Sequence, residues 1–398
     1  MKTDEQKIVI TGIGVVAPNG IGKEEFWKNC RAGVSGIKPI TLFDTSAYHC
    51  HMGGEISNFQ PEKYLGSKGL RNLDRTTLLA LVATKLAIED AQLSITEENA
   101  HEIGVVLGST MGSVHSISSF DIEGLREGPR YVNPALFPNT VINAPASRIA
   151  IQFGVKGLNS TIGTGFTASL DAMEYAVDML RSGRLKAVLV GGVEELCIET
   201  FSGFYGLHLL NGTNGIHPTR QLINRTEKAS FLGEGSGVLV LEIENRAKDR
   251  GAHGQAYIEE VTSEFRAPTT MDTYLTEEAI TSSLQKAIDR VRLINLDGVH
   301  YVSVWNGPTV HRRHGIDDAL WRKTLSHQRV MQRICIKDLV GECFSARGAL
   351  QLIAGIGITK QSVGSGSLLV TDLGPIGNQS TVIVSLLKDA CNPIQSSR

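Results

Sequence analysis

The sequence Leu158-Asn159-Ser160-Thr161-Ile162-Gly163-Thr164-Gly165-Phe166 predicts a short strand that enters a tight, glycine-flanked turn, and a long amphipathic run follows it. Such a turn at the N-terminus of a helix is where folds place a nucleophile, because backbone N–H groups and the helix dipole favour negative charge there. Ile162 stands at the apex, and its side chain can neither ionise nor attack a substrate. The sequence therefore predicts the architecture of an active site without its nucleophile.

The rest of the chain alternates predicted strands and helices around this turn. The helix after Ile162 carries a buried stripe and stops at Gly183; the stripe comprises Leu170, Met173, Val177 and Leu180. The first half further predicts strands at residues 8–10, 103–107, 187–190 and 237–241, and helices at residues 24–31 and 74–90. The second half predicts strands at residues 256–261, 299–305, 367–371 and 381–387, and helices at residues 277–291 and 346–356.

This alternation indicates an α/β fold whose sheets are covered by helices. Two successive β-α-β-α-β-β halves indicate an internal structural duplication, although the residues of the two halves are not alike. We place the halves at residues 1–247 and 248–398, and the polar segment 244–251 is the predicted join.

Composition excludes several classes of protein. The 398 residues include 39 basic and 41 acidic ones, a balance that argues against a general nucleic-acid binder. No apolar run is long enough to predict a membrane span, and the polar N-terminus lacks the apolar stretch of a signal peptide. Six scattered cysteines do not form a dense disulfide framework. We therefore expect a cytoplasmic protein with free thiols.

Two short motifs indicate a binding site only weakly. Gly12-Ile13-Gly14 follows a strand, but the third glycine of a dinucleotide-binding loop is absent at its spacing, so a plain turn is the simpler interpretation. His49, Cys50 and His51 are adjacent, which is not the spacing of a zinc site, and no second ligand pair accompanies them. Neither motif predicts a metal or cofactor, and we expect none.

Three further segments leave alternatives open. His311, Arg312, Arg313 and His314 form a polar loop that could contact an acidic partner or could simply be solvated. Cys343, beside Glu342, could be a displaced thiol nucleophile, although a buried structural cysteine is more common. Residues 233–237 predict a flexible turn with one acid.

Three motifs gain meaning when they are taken together and in order: Val9-Ile10-Thr11-Gly12-Ile13-Gly14-Val15-Val16-Ala17-Pro18-Asn19-Gly20, Gly191-Gly192-Val193-Glu194, and Gly233-Glu234-Gly235-Ser236-Gly237-Val238-Leu239-Val240-Leu241-Glu242. This series resembles the β-ketoacyl-acyl carrier protein synthases, which have the thiolase fold. The resemblance covers nearly the whole chain. It implies a layered αβαβα architecture built from two similar halves.

Active members of that family use a cysteine nucleophile and two histidines, and the resemblance implies that all three are replaced here. Ile162 stands at the cysteine, Asn306 at the first histidine and Glu342 at the second histidine. Lys337, which begins the segment of the second histidine, is retained. Pro375 stands at the phenylalanine that gates the active site in the family.

These replacements predict the loss of catalysis by this chain alone. Ile162 cannot form a thioester. Asn306 can donate a hydrogen bond but cannot carry a proton as imidazolium does. A free Glu342 carboxylate would repel the carboxylate or enolate of a malonyl unit.

The N-terminal third resembles the chain length factors, the β subunits of type II polyketide ketosynthases, at residues 15–20, 43–44, 54–59 and 73–77. Such subunits pair with an active, cysteine-bearing ketosynthase α subunit and shape the tunnel in which a polyketide or polyene grows on acyl carrier protein. The resemblance places the tunnel-shaping residues on a helix after Gly112, at Val114, Ile117 and Phe120 or Asp121. Many chain length factors carry glutamine where this chain has Ile162, and that glutamine had suggested a decarboxylating role. Because Ile162 departs from this pattern, we do not assign decarboxylation.

Two other functions stay open from the sequence. One is a malonyl-carrier-protein decarboxylase or synthase with relocated chemistry, with Cys343 as the candidate nucleophile. The other is a homodimeric scaffold that only binds acyl carrier protein. The non-catalytic chain length factor, in a heterodimer with a ketosynthase, is the favoured interpretation.

Overall fold

The computed structural model describes residues 7–210, 231–265, 286, 289, 299–306, 332–363, 366–374 and 377–387. The strands are β1 Ile8–Ala17, β2 Gly20–Ile21, β3 Lys38–Pro39, β4 Met52–Gly53, β5 Ile103–Gly108, β6 Asn159–Ile162, β7 Ala187–Glu194, β8 Gly235–Ile243, β9 Ala256–Phe265, β10 Val299–Asn306, β11 Gln332–Ile334, β12 Ser367–Leu373 and β13 Asn378–Leu386. The helices are α1 Lys23–Arg31, α2 Glu62–Leu65, α3 Arg75–Asp90, α4 Val114–Glu127, α5 Ala144–Phe153, α6 Ala168–Arg181, α7 Ile198–Gly206, α8 Glu244–Asp249, α9 Lys337–Val340 and α10 Arg347–Val363. Short 3-10 helices span Ala100–Glu102, Pro134–Thr140 and Phe344–Ala346.

Strand β1 lies at the middle of a large mixed sheet, and all of its residues are buried. The strand order is β11-β10-β12-β13-β9-β1-β8-β7-β5-β6, and β2 pairs with β1 outside this path. The order outward from the middle is the same on both sides: β1-β8-β7-β5-β6 on one and β9-β13-β12-β10-β11 on the other. If the strands of each half are numbered along the chain without β2, β3 and β4, both series are first, fifth, fourth, second and third.

The directions of pairing repeat in the same way. The β1–β8 and β8–β7 pairs are antiparallel, whereas β7–β5 and β5–β6 are parallel. On the other side, β9–β13 and β13–β12 are antiparallel, whereas β12–β10 and β10–β11 are parallel. Both halves therefore build the same five-stranded unit. The internal repeat was predicted, but β11 of the second half was not. The boundary between residues 247 and 248 stays a prediction; the polar join folds as α8.

Helices cover both faces of the sheet. On one face α3 and α5 pack over β1, β5, β7 and β8. On the other face α6 and α10 pack against strands of both halves and against each other. The predicted stripe of α6 is fully or almost fully buried, with exposed fractions of 0% at Leu170, Met173 and Leu180 and 1% at Val177. Because parallel strands alternate with these helices, the carboxyl ends of several strands meet at one place.

The glycine pair of the first motif lies inside β1, not in a turn. A Cβ atom on Gly12 would lie 2.2 Å from the carbonyl oxygen of Ala87, and one on Gly14 would lie 1.8 Å from that of Ala83. Both distances are shorter than any real contact, so the glycines allow α3 to pack directly on the strand. The interpretations of this pair as a turn or as a nucleotide loop are therefore both wrong, and β1 continues to Ala17.

The other predicted elements within the described residues are present, most of them longer than the sequence pattern indicated. Helix α3 begins at Arg75 because Asp74 is its N-cap and accepts a hydrogen bond from the backbone N–H of Thr77 at 3.1 Å. The helix predicted at residues 277–291 lies outside the described residues, apart from positions 286 and 289. Across the described part of the chain, no helix is both long and apolar enough to cross a membrane.

Candidate functional site

Ile162 is the last residue of β6, an edge strand of the sheet, and its side chain is half-buried. It pairs in register with Gly108 of β5, and its carbonyl oxygen accepts a hydrogen bond from the backbone N–H of Ser109 at 3.1 Å. Gly163 and Thr164 are exposed, and Gly165 has a φ of 88°, a conformation that glycine adopts without strain. The strand, turn and helix predicted around this residue are therefore present.

Asp171, in the first turn of α6, fixes the turn after Ile162. Its carboxylate accepts hydrogen bonds from Thr164 and from the hydroxyl of Thr167, the latter at 2.8 Å. It also accepts the hydroxyls of Ser380 and, at 2.6 Å, of Ser263, which belong to strands of the second half. An acid at this position suits the helix dipole, and here it joins both halves of the sheet behind the turn.

The segment that carries Glu342 is deeply buried and contains an internal ion-pair network. The side chains of Glu342 and Arg347 are both 0% exposed. Arg347 Nη1 lies 3.3 Å from Oε2 of Glu342, and Arg347 Nη2 lies 2.5 Å from Oδ1 of Asp372. Oε1 of Glu342 also accepts the backbone N–H of Phe344 at 3.0 Å. Glu342 therefore does not present a free carboxylate; its charge is balanced inside the protein.

Arg347 is the point at which the predicted positions come together. Its guanidinium lies 4.7 Å from the centre of the Phe166 ring, four residues after Ile162. Its Nη2 donates to the carbonyl oxygen of Leu373 at 2.6 Å, and Leu373 is the register partner of Asn306. The Ile162 turn, the Glu342 segment and the carboxyl end of β10 therefore all adjoin one guanidinium. Pro375 lies outside the described residues.

Burial lowers the pKa of Arg347, but the carboxylates of Asp372 and Glu342 outweigh burial, so that its pKa lies above the ordinary value for arginine. The guanidinium is therefore a permanent cation in the interior. Burial also lowers the pKa of Lys337, the retained lysine, and the nearby Glu342 opposes that shift. The described part of the site thus holds fixed charges and contains neither an imidazole nor a thiolate.

Cys343 is fully buried, and its Sγ lies 3.4 Å from the carbonyl oxygen of Glu234. Burial, aided by the Glu342, Glu234 and Glu194 carboxylates, raises the pKa of its thiol well above the usual value. A thiolate is therefore strongly disfavoured, and this surrounding is that of an inert structural cysteine.

The acid of the 233–237 motif is a structural anchor and not part of a flexible turn. The Glu234 carboxylate is 0% exposed and accepts two hydrogen bonds from Arg75, at 2.6 Å from Nε and 2.5 Å from Nη2. It also accepts the backbone N–H groups of Ile56 and Leu196, at 2.7 Å and 3.2 Å. The prediction of a flexible turn is wrong, because a fully bonded buried charge holds the start of β8 in place.

The four candidate tunnel residues lie on α4, as the resemblance implied. Val114 and Phe120 are half-buried, Ile117 is 36% exposed, and Asp121 is exposed. The ring of Phe120 lies 5.9 Å from that of Phe137. None of the side chains of α4 is fully buried, so one apolar side of this helix lacks cover within the described chain.

An apolar face surrounds β6 and α4. It consists of large hydrophobic residues that are 36–86% exposed: Ile117, Ile122, Leu125, Tyr131, Phe137, Val141, Ile142 and Ile151. Ile142 lies beside the turn after Ile162, because a Cβ atom on Gly163 would be 3.6 Å from its Cδ1 atom. The elements of this face, α4, the 3-10 helix at residues 134–140, α5 and β6, contact one another in sequence, and exposed apolar residues on neighbouring elements are typical of a protein interface.

Of the remaining candidates, those that the structure describes do not form a site. His51 Nδ1 lies 3.1 Å from the hydroxyl of Thr45, and Cys50 between the two histidines is buried. Residues 311–314 lie outside the described part of the chain. Over the residues that the structure describes, no group of three or more His, Cys, Asp or Glu side chains is placed to hold a metal ion.

Sequence reasoning missed Arg347. A signal was present, since Arg347 is the one charged residue in the otherwise small and apolar stretch 343–358. A permanent charge at the start of a core helix requires an internal partner. That requirement points to Glu342, five residues earlier.

Comparison with known proteins adds to this geometry. The sequence model described as the beta-ketoacyl synthase N-terminal domain matches residues 5–247. A relative, the 3-oxoacyl-[acyl-carrier-protein] synthase 2 of Staphylococcus aureus strain COL, is 32% identical over 257 residues, which is 64% of this chain. The chain spans about three-fifths of the length of such relatives, 62% in this case.

Two solved structures resemble the whole described architecture. The ishigamide ketosynthase/chain length factor has a TM-score of 0.83 at 22% identity, over 96% of this chain and 100% of that one. A type II PKS ketosynthase, solved with its acyl-carrier protein and bound to the hexaketide, has a TM-score of 0.79 at 21% identity, with the same coverage. The chain thus has the mixed α/β, thiolase-like fold of ketosynthases, as expected.

Proposed function

The chain belongs to the beta-ketoacyl synthase family, and from this premise we propose that it is a non-catalytic chain length factor subunit. In this proposal it pairs with an active ketosynthase and shapes the tunnel for a polyketide or polyene chain that grows on acyl carrier protein. The observation that carries the proposal is the buried ion pair of Glu342 and Arg347 beside the Ile162 turn, where the chemistry of the family needs a thiol and imidazoles.

Decarboxylative condensation needs a nucleophile that accepts the acyl group and donors that stabilise the developing enolate. Ile162 supplies no nucleophile. Glu342 neither donates a hydrogen bond as a carboxylate nor is exposed, and Arg347 is fully engaged by Glu342, Asp372 and the Leu373 carbonyl. A substrate would have to displace a fully bonded internal ion pair to reach this position. These contacts support the loss of independent condensation.

The apolar face defined above supports a partner subunit. It adjoins the edge strand β6 and the Ile162 turn, and it includes side chains as exposed as Leu125, at 86%. Such a surface is costly in water and suits a large obligate interface. We propose that the cysteine-bearing ketosynthase covers it, so that the catalytic residues of the complex lie in the partner. The ketosynthase and chain length factor named for the first neighbour support this pairing.

Helix α4 supports the tunnel role. Val114, Ile117 and Asp121 share a face at i, i+3 and i+7. The half-buried Val114 is small, whereas Phe120 packs against Phe137 with ring centres 5.9 Å apart. We propose a tunnel that stays open past Val114 and closes near Phe120. The alternative, in which this face only packs against the partner, predicts no effect on product length.

The cysteines support a proposal for the compartment. Among the described residues, Cys30, Cys50, Cys197, Cys335 and Cys343 form no disulfide bond. Free cysteines support a reducing compartment, and we propose the cytoplasm.

Co-expression with a ketosynthase that carries its nucleophilic cysteine tests the proposal. We expect a stable 1:1 complex by size-exclusion chromatography with light scattering, and elongation of malonyl units on acyl carrier protein only by that complex. A homodimer that ignores the ketosynthase would favour the carrier-protein-binding scaffold and overturn the proposal.

The 32% identity to a named synthase favours a second candidate, an active decarboxylase or synthase with relocated chemistry. Incubation of the purified chain with malonyl-loaded carrier protein discriminates between the two. Release of carbon dioxide, or a thioester on this chain, would favour the enzyme. Neither product is expected of a chain length factor.

A further inference from the structure

Three buried or nearly buried acids hold the segment that leads into α4; we refer to Asp74, Glu194 and Glu195 together as the acid clamp. Glu194 accepts the backbone N–H groups of Thr110 and Met111, the latter at 3.1 Å from Oε1. Oε1 of Glu195 accepts the backbone N–H of His115 at 3.2 Å, in the first turn of α4. Asp74 accepts the hydroxyl of Ser113, the N-cap residue of α4. The three acids come from the end of β7, the residue after it and the N-cap of α3.

The clamp is poor in compensating positive charge. Glu194 is 0% exposed and Glu195 is 5% exposed. The cation nearest in the chain, the half-buried Arg75, is engaged by both oxygens of Glu234. The other charged or titratable groups that interact with the clamp are Arg75, Arg148, His115, Cys197 and Cys343. Three neighbouring carboxyl groups in this setting cannot all be ionised without a large cost.

The pKa values of the three acids agree with this conclusion. Burial raises the pKa of Glu194 to about 7, against the hydrogen bonds from Ser345, Thr110 and Met111. Burial, and then the charge of Asp74, raises the pKa of Glu195 to about 7. Burial raises the pKa of Asp74 as well. At neutral pH the clamp therefore retains a proton that the same acids would release in water.

We propose that the acid clamp is a proton-linked latch: a retained proton keeps residues 110–115 closed and α4 docked, and loss of that proton favours opening of the segment. The link to product length and partner binding rests on the proposed function, in which α4 lines the shared tunnel. The latch itself concerns only this chain. Opening lets water reach the carboxylates, which removes the cost of burying their charges.

Proton linkage gives the direction in which opening changes with pH. The closed form has acids with raised pKa values, whereas the open form has ordinary ones, near 4.5 for glutamate. Opening therefore releases protons, and the opening constant rises with pH between about 5 and 7. For each proton released, the rise is about tenfold per pH unit, and it levels off above pH 8, where the closed form is also ionised.

Hydrogen exchange of the full-length chain tests the latch. Protection of a peptide that covers residues 110–117, corrected for the intrinsic pH dependence of exchange, is expected to fall by at least about tenfold per pH unit from pH 5 to 7. The Glu195→Gln variant keeps an oxygen that accepts the N–H of His115 but cannot ionise. We expect its protection to change at most half as steeply as that of the wild type on a logarithmic scale. Glu102→Gln, which removes a half-exposed surface ion pair with Lys186, serves as the matched control and should follow the wild type.

His115 is the competing ionisable group, because it lies in the first turn of α4 and its Nδ1 lies 3.1 Å from Glu199. The His115→Gln variant is expected to keep the pH dependence. If His115→Gln abolishes it and Glu195→Gln retains it, or if the wild type shows no dependence, the latch is overturned. If the chain shows the expected pH dependence but forms no complex with a ketosynthase, the latch is supported and only its link to the proposed function is rejected.

Discussion

Arg347 Nη1 lies 3.3 Å from Oε2 of Glu342, and neither side chain is exposed to solvent. In the proposed function, Glu342 of this pair stands where active relatives carry the second histidine. An isolated glutamate at this position would be a buried anion, and an isolated arginine would be a buried cation. Together with Asp372 they form a network whose stability depends on all its members.

Removal of Arg347 is expected to destabilise the chain strongly. Arg347→Met leaves Glu342 and Asp372 buried without a cation, which costs about 3–5 kcal/mol. Urea unfolding monitored by circular dichroism measures the change in the free energy of unfolding. The matched control is Lys186→Met, which breaks a half-exposed ion pair with Glu102 and should cost at most about 1 kcal/mol.

Combined replacement separates charge from packing. The triple variant Arg347→Met with Glu342→Gln and Asp372→Asn removes the unpaired charges and is expected to recover part of the lost stability relative to Arg347→Met. Equal loss in the single and triple variants would show that Arg347 acts through its volume, and the ion-pair account would be rejected.

Cys343 is expected to be unreactive in the folded chain. It is fully buried, and its pKa lies well above the usual value, so alkylation requires unfolding. Iodoacetamide labelling followed by peptide mass spectrometry, in buffer and in urea, measures this. The exposed Cys335 is the internal control and should be labelled in buffer. Rapid native labelling of Cys343, on the time scale of Cys335, would revive the relocated-nucleophile alternative.

Bulk on the tunnel face of α4 is expected to shorten the product. Val114→Trp, in complex with the ketosynthase, should yield chains shorter by one or more two-carbon units, because the indole fills the proposed tunnel. Mass spectrometry of the products gives the length. Ser119→Trp adds the same bulk at an exposed position of the same helix and should leave the length unchanged. An unchanged product with Val114→Trp would rule out the tunnel role.

A charge in the apolar face is expected to weaken partner binding. Ile142 is 41% exposed beside the Ile162 turn, so Ile142→Glu would bury an unpaired carboxylate on association. We expect the Kd for the ketosynthase to rise by at least about tenfold, which corresponds to ~1.4 kcal/mol. Val34→Glu adds the same charge at an apolar position that is 46% exposed, away from this face, and should bind normally. Equal effects of both variants would argue against the proposed interface.

Much of the architecture could be predicted because it depends on local patterns. The stripe on α6 and the turn around Ile162 each follow from periodicity or turn chemistry within a few residues. The role of Gly12 and Gly14 was predicted wrongly because it depends on close packing against Ala83 and Ala87 of α3, which lie some seventy residues away in the sequence.

The positions that the resemblance assigned, Ile162, Asn306 and Glu342, stay a prediction, and the described backbone brings their segments together. The electrostatics of these segments could not be predicted from the sequence. The role of Glu342 depended on Arg347, Asp372 and the burial of all three, which no sequence spacing reveals. In the same way Glu234 could not be recognised as a buried anchor until Arg75 was placed beside it.

The most direct measurement is the intact mass of each subunit after the ketosynthase complex is incubated with acyl- and malonyl-loaded carrier protein. The account predicts an acyl thioester on the ketosynthase alone, no adduct on this chain, and no elongation when the nucleophilic cysteine of the ketosynthase is replaced by alanine. An acyl adduct on this chain, or elongation by this chain without an active ketosynthase, would contradict it.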